Sequence, residues 1–257
     1  MLEWGLTPSS LLARTSGLLA AQIAIRHRHA RCRLAWQPHL DNCRDFLARQ
    51  ITSDLTHNTA PRGHIVLLGS GHLNDFNLDF LQREFARITL VDIVHPIEIQ
   101  IRAHLSKKRI QCVTADISGL HGSQSAATRA KALEKLRHLL RGVDWAVSSC
   151  LLSQLPLQTS AYRQAQDEEA DTSQITHPLF AAHLRLLHEA PHALLITDTA
   201  QRTVKDGDWD SLLDDFPLPR PLAVWIWQIA PPGEHSDFPQ RNEERLVEAF
   251  VFKQSEA

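Results

Sequence analysis

Apolar positions along this chain recur first at helical spacing and then in short unbroken runs. Leu11, Leu12, Leu18, Leu19 and Ile23 share one face of a helix predicted over residues 9–25. Cys43, Phe46, Leu47, Ile51 and Leu55 do the same over residues 40–56. Pro38 predicts a kink or break between the two, because proline lacks the N–H that a helix interior needs. Beyond residue 61 the pattern changes. His64–Leu68, Ile88–Asp92, Ile110–Val113, Asp144–Ser149 and Ala193–Asp198 read as strands, separated by amphipathic stretches near 77–87, 97–105, 125–140 and 178–189. Short apolar runs alternating with helices predict a parallel sheet covered on both faces and built by right-handed crossovers. Residues 158–173 are polar, with an acidic knot at Asp167-Glu168-Glu169. Leu222–Ile229 and Leu246–Phe252 have no helical pattern between them, which predicts an antiparallel hairpin on the sheet edge. The expected fold class is α/β: a doubly wound, Rossmann-like sheet of about seven strands with a C-terminal antiparallel hairpin and an N-terminal helical cap. Residues 1–60 form the cap in this reading and residues 61–257 the α/β domain.

Composition narrows the class without naming a chemistry. The 257 residues carry 27 basic and 29 acidic side chains, a net charge of −2, which argues against an electrostatic nucleic-acid coat or a polybasic membrane anchor. Cys32, Cys43, Cys112 and Cys150 show neither a CxxC nor paired spacing, so neither a disulfide framework nor a zinc ribbon is expected. Glu3 stands where a secretory leader would be basic, and Arg14 interrupts the apolar start. No run reaches the ~18 uncharged apolar residues of a membrane span. The expectation is a soluble, reduced, cytoplasmic protein.

In open α/β sheets ligands bind beyond the carboxyl ends of the strands. Gly69-Ser70-Gly71 follows the first strand, where glycine lets the backbone turn and approach a ligand. Asp92 ends the second strand, placed to accept two hydrogen bonds from ribose hydroxyls. Asp116 follows the third, Ser148, Ser149 and Cys150 end the fourth, and Asp198 ends the fifth. Each glycine or carboxylate alone is equally a turn or a helix cap. The ordered set points to a nucleotide-type ligand.

The element order, with Val66-Leu67-Leu68-Gly69-Ser70-Gly71, Val91-Asp92 and Ala115-Asp116-Ile117, resembles the class I S-adenosylmethionine-dependent methyltransferases over roughly residues 62–253. The closing hairpin resembles that family's sixth and seventh strands. The resemblance implies S-adenosylmethionine as cofactor, held by Gly69, Ser70 and Gly71 at its methionine part and by Asp92 with Ile93 at the ribose. It places Asp116 and Ile117 at the adenine, Ser148 among the cofactor-binding residues, and the stretch from Ser148 to Leu155 on the substrate side. Leu67 stands where the family has an acidic residue, and Leu73 where a third glycine is common. Asp75 is a substitute partner for the cofactor's amino group. The nicotinamide fingerprint would need glycine at 74, which is Asn74, and no Tyr-x-x-x-Lys pair follows Tyr162.

Methyl transfer asks the protein mainly to position two reactants, so no residue type betrays the catalyst. His72, Gln154 and Asp198 are the catalytic candidates; the alternative readings are a solvated loop for His72 and capping for the other two. Arg33, Trp36 and His39 are lid candidates by resemblance, with His95 a further substrate-side candidate. Cys150 reads as an inert buried thiol, and the spacing of His27 and His29 argues against metal. The basic run Arg26–Arg33 is either a solvated helix face or a clamp for an anionic substrate or RNA. Trp225 and Trp227 share one strand face and read as core, and the Pro-rich loop from Ala230 to His235 is a gate or a plain connector. The expected function is methyl transfer to a small-molecule acceptor. The alternatives are a non-catalytic binding protein on the same fold, suggested by Leu67 and Leu73, and an RNA-modifying enzyme using the basic cap.

Overall fold

The computed structural model describes residues 14, 17–53, 62–119, 126–166, 175–203, 207–234 and 241–253. In chain order the helices are α1 (Leu18–Arg31), α2 (Arg33–Ser53), α3 (Leu78–Glu84), α4 (Ile97–Leu105), α5 (Ala126–Arg141), α6 (Gln154–Gln166) and α7 (Thr176–Leu187). The strands are β1 (Arg62–Leu68), β2 (Phe85–Asp92), β3 (Ile110–Thr114), β4 (Trp145–Ser149), β5 (His192–Arg202), β6 (Asp210–Ser211), β7 (Ala223–Ala230) and β8 (Glu243–Lys253).

They form one sheet in the order β3-β2-β1-β4-β5-β8-β7, with the two-residue β6 paired to β5. Pairings from β3 across to β5 are parallel. The β8 strand runs antiparallel to both β5 and β7, which is the predicted edge hairpin.

Strand alternation explains the two cores. Ile65 and Leu67 turn to one face, where Trp36, Cys43 and Leu47 of α2, Leu81 of α3 and Ile99 of α4 pack. Val66 and Leu68 turn to the other, against Leu136 of α5, Leu155 of α6 and Phe180 of α7. With both faces covered, β1 can be apolar throughout, and residues 65 to 68 are fully buried.

Two expectations are corrected. Pro38 lies inside α2, and the helix break falls at Cys32 instead. One N–H is missing at Pro38, but Trp36, Leu40, Cys43, Leu47 and Ile51 form a stripe of buried residues through the proline, and their packing holds the helix together. The predicted helix over 77–87 is shorter. Asn77 caps it by accepting the Phe80 N–H at 3.0 Å, and Phe85 to Arg87 belong to β2. The start of the polar stretch, to which no element was assigned, belongs to α6. Most of the first predicted helix before Gly17 and the acidic knot lie outside the described residues. Among the described residues no helix is long and apolar enough to cross a membrane.

Candidate functional site

The chain leaves β1 toward β2 on one side, and β4 lies on the other, so the helices on opposite faces diverge at the carboxyl end of β1. A cavity of about 280 Å³ occupies this place. Its floor is the loop from Gly69 to Phe76, one end is Asp92, Ile93 and residues 115–118, and the other is Trp36, Leu40, Trp227 and Ile229. Helix α1 roofs it with Leu18, Ala21, Gln22, Ile25 and Arg28.

Gly69 and Gly71 take φ of 68° and 46°, a backbone that glycine adopts without steric cost. A Cβ on Gly69 would also sit 2.9 Å from Leu151 Cδ2. Leu73 takes φ of 58°. The leucine thus takes a left-handed backbone that glycine adopts more readily, with its side chain in the same core cluster as Phe76. Leu67 is fully buried on the α2 face. Leu67 does not line the cavity.

Asp92 is held by three main-chain donors. Oδ2 accepts the Gly71 N–H at 2.8 Å, and Oδ1 accepts the N–H groups of Ile93 and Val94 at 2.7 and 3.2 Å. Burial raises its pKa, and these three donors oppose the rise. The carboxylate therefore shapes the loop as well as facing the cavity. At the third strand end, Asp116 Oδ1 accepts from the Ser118 N–H at 3.0 Å and hydroxyl at 2.6 Å, with Ile117 against it.

The end of β4 differs by one residue from the sequence reading. Ser148 points to the α7 face, where its hydroxyl lies 2.9 Å from His183 Nε2, and it does not line the cavity. Alternation brings Ser149 there instead, donating to Asp75 Oδ2 at 2.9 Å. Cys150 follows with φ of 50°, in a region that costs a non-glycine residue of order 1–3 kcal/mol, and it lines the cavity. Burial raises the Asp75 pKa, and the Ser149 hydroxyl and Arg44 oppose it.

The aromatic end joins the two extremes of the described chain. Trp36 Nε1 donates to the Ile229 carbonyl at 2.9 Å and meets the Trp227 ring edge-on at 5.0 Å. His39 stacks on Trp227 at 4.1 Å, behind the wall rather than on it. Trp225 Nε1 donates to His39 Nδ1 at 3.0 Å. Burial pushes His39 down to about 3, so the ring is neutral. An indole N–H only donates, so the imidazole proton lies on Nε2, which faces Cys43 and Cys150 at 3.7 Å each. The donor atoms of His39, Cys43 and Cys150 lie within 4.8 Å of one another, a grouping that metal ions favour. A metal-bound histidine donates its other ring N–H outward, whereas here the other nitrogen receives one. The cluster is built for a hydrogen bond into sulfur, and the same protonation denies His39 the role of base toward Cys150.

His72 lines the cavity, and its Nε2 donates to the Gln22 carbonyl of α1 at 3.2 Å. Gln154 lines it too. Asp198 does not: it is 1% exposed, hydrogen-bonded to Ser153 and 3.7 Å from Arg245. Arg33 is exposed and His95 buried, and both stand off the cavity wall. Sequence reasoning assigned no site role to Gln22 or Trp227, whereas Ser149 fell within the substrate-side stretch and Arg28 within the basic run. Strand alternation was a signal for Ser149. Nothing local marks α1 residues as a roof.

Arg31 clasps Glu234 in the loop after β7 with two bonds of 2.5 and 3.1 Å, and Arg28 lies 3.5 Å from the same carboxylate. Arg31 holds the Glu234 carboxyl below its ordinary value. The Arg31 side chain is 57% exposed, so solvent screens the pair. A double-mutant cycle with Arg31→Ala and Glu234→Ala should give a coupling of at most about 1 kcal/mol, shrinking in high salt. A larger, salt-independent coupling would show the clasp to be part of the core.

The strand order and closing antiparallel hairpin are those that the class I methyltransferase resemblance implies, on a doubly wound α/β sheet. No family model matches the sequence, and no curated protein matches it. Among solved structures, the chain is similar to a Burkholderia thailandensis 1,6-didemethyltoxoflavin-N1-methyltransferase bound to 1,6-didemethyltoxoflavin and S-adenosylhomocysteine. The identity is 15%, covering 94% of this chain and 91% of that one, with a TM-score of 0.42. A Leishmania major SAM-dependent methyltransferase matches at 11% identity over 96% and 80% of the chains, TM-score 0.38. A glycopeptide N-methyltransferase, MtfA, complexed with SAM, matches at 13% identity over 77% and 70%, TM-score 0.30.

Proposed function

We propose that this protein binds S-adenosylmethionine and transfers its methyl group to a small molecule. The observation that carries the reading is convergence: the glycine loop after β1, Asp92 after β2 and Asp116-Ile117 after β3 all line one cavity. The residues fit that cofactor. The loop is left-handed at residues 69, 71 and 73, so its backbone stands open to a ligand. A carboxylate offers about four acceptor sites, and three main-chain donors occupy three of them at Asp92. Asp92 thus receives one ribose hydroxyl through Oδ2, not the two that its strand position alone suggests. Asp116 and Ile117 bracket the adenine, and Ile93 borders the ribose.

When bound, the cofactor supplies an electrophilic methyl group on a sulfonium. The chain supplies orientation and a dry site: α1 covers the loop through His72 and Gln22, and Trp36 and Trp227 close the far end. Leu67 and Leu73, the two residues that favoured a binding-only protein, leave the cavity open. Leu67 is core, and Leu73 keeps the loop's path. Glu234 engages Arg28 and Arg31, which reduces the charge that the basic stretch offers to RNA and supports a small acceptor. The protein is expected to work as a soluble cytoplasmic enzyme.

The test is calorimetry and thermal denaturation with S-adenosylmethionine, S-adenosylhomocysteine and NAD. At 100 times its dissociation constant a ligand adds about 2.7 kcal/mol, a shift of several degrees for a domain of this size. A shift with both adenosyl ligands and none with NAD is the expected result. Stabilisation by NAD alone would replace this reading with a nicotinamide enzyme.

A further inference from the structure

Charge is distributed unevenly along the cavity. Among the described residues, its charged lining is Asp75, Asp92, Asp116 and one base, Arg28, whose charge Glu234 shares. Asp92 and Asp116 stand at the end built by β2 and β3 and are engaged by main-chain and Ser118 donors. Asp75 belongs to the other end. Its neighbours are Ser149, Cys150 and Cys43, and it lines the same cavity as Trp36 and Trp227, which pack in one core with those two cysteines. Arg44 also acts on it through space, but the guanidinium is spent on the Asn74 carbonyl, at 2.5 and 3.1 Å, and on Asp41. A carboxylate beside two indoles in a net-acidic cavity attracts cations and N–H donors and repels anions.

We propose that the methyl acceptor is an amine carried on a planar aromatic ring, with its nitrogen received by Asp75 and its ring against Trp36 and Trp227. This inference rests on the methyltransferase reading. Phosphorylated and carboxylate acceptors meet three carboxylates there against one lining base, which Glu234 shares, and a purely apolar acceptor leaves Asp75 with only the Ser149 hydroxyl and the distant Arg44 charge. The neutral nitrogen forms its N–CH3 bond with its own electron pair as the S–CH3 bond breaks, and that bond's pair stays on sulfur as a thioether. The N–H proton passes to the Asp75 carboxylate, which becomes the acid and later releases it to water. Burial favours this, because a carboxyl group raised above its ordinary value is the better proton acceptor near neutrality.

Tryptamine and indole-3-propionate share a ring and a chain length and differ in the sign of the terminal charge. With the protein saturated in S-adenosylhomocysteine, tryptamine should bind at least about tenfold more tightly, by calorimetry. Asp75→Asn should bring the two ligands to within about twofold while leaving S-adenosylhomocysteine affinity within about twofold of native. Ser149→Ala, which removes the hydroxyl competing for Oδ2, should keep or raise the preference, and it serves as the deciding variant if Asp75→Asn does not fold. Equal binding of the two ligands, a preference that survives in Asp75→Asn, or a preference that falls in Ser149→Ala overturns the proposal. So does an Asp75→Asn protein that loses S-adenosylhomocysteine and keeps tryptamine, which would assign Asp75 to the cofactor's amino group. If native protein binds neither adenosyl ligand, the methyltransferase reading fails separately, and the same pair titrated without them decides the amine site alone.

Discussion

Between pH 7 and about pH 4.5 the protein is expected to lose several kcal/mol of stability, enough to unfold a domain whose margin is of order 5–15 kcal/mol. Three buried histidines carry this. His39 is pushed down to about 3, and His64 and His183 to about 4, burial being the leading cause in each. An unfolded histidine titrates near its ordinary value of about 6.5. As the pH falls below that value the unfolded chain takes up protons that the folded chain refuses. Stability is therefore full above pH 6.5 and declines until the folded values are reached, by up to about 1.4 kcal/mol per pH unit for each histidine. At His64 the Arg87 charge adds to the lowering, and Asp144 opposes it. Asp75, Asp92 and Asp198 act in the opposite sense. Their folded values are raised, so the folded state binds their protons first and the decline flattens toward the acid end. Urea denaturation at a series of pH values measures the slope. A stability that stays level from pH 7 to pH 5 would mean these rings are charged or solvated in the native protein. His183→Gln should remove a fair share of the slope.

Asp92→Ala should lower stability by about 2–4 kcal/mol and abolish adenosyl-ligand binding. Its side chain satisfies the N–H groups of Gly71, Ile93 and Val94, and stranding buried donors costs about 1–3 kcal/mol each, with part recovered by water and relaxation. Asp92→Asn should be nearly as damaging. The amide has one acceptor oxygen, and its NH2 group would face a main-chain donor. Chemical denaturation gives the first quantity and calorimetry the second. An Asn variant with native stability would show that one oxygen suffices, and that the loop does not depend on the carboxylate.

The legible parts of the sequence were those where one force dominated. Residues 65–68 are apolar on both faces because helices cover both, and Ile97–Leu105 is a helix in pattern and in structure. Helix α6 was obscured because its buried positions include Thr159, and Ser153 just before it, so hydrophobic spacing understates its inner face. Pro38 signalled a break that a buried stripe on either side outweighed. Site residues were harder. Gly69, Gly71, Asp92 and Asp116 sit at strand ends and could be found there, whereas Ser149 against Ser148 turns on one step of alternation. His39 and Trp225 meet across 186 residues, and no local pattern announces such a pair.

The place of β8 has a consequence for synthesis. It lies inside the sheet, between β5 and β7, although both are made before it. Until residues 243–253 leave the ribosome, the outer edge of β5 presents unpaired main-chain groups and β7 has no neighbour to join. Trp227 and Ile229, which close the aromatic end of the cavity, therefore settle only after that late insertion. The nascent chain is exposed to edge-to-edge aggregation through this interval, and ligand binding cannot rescue it because the binding wall does not yet exist.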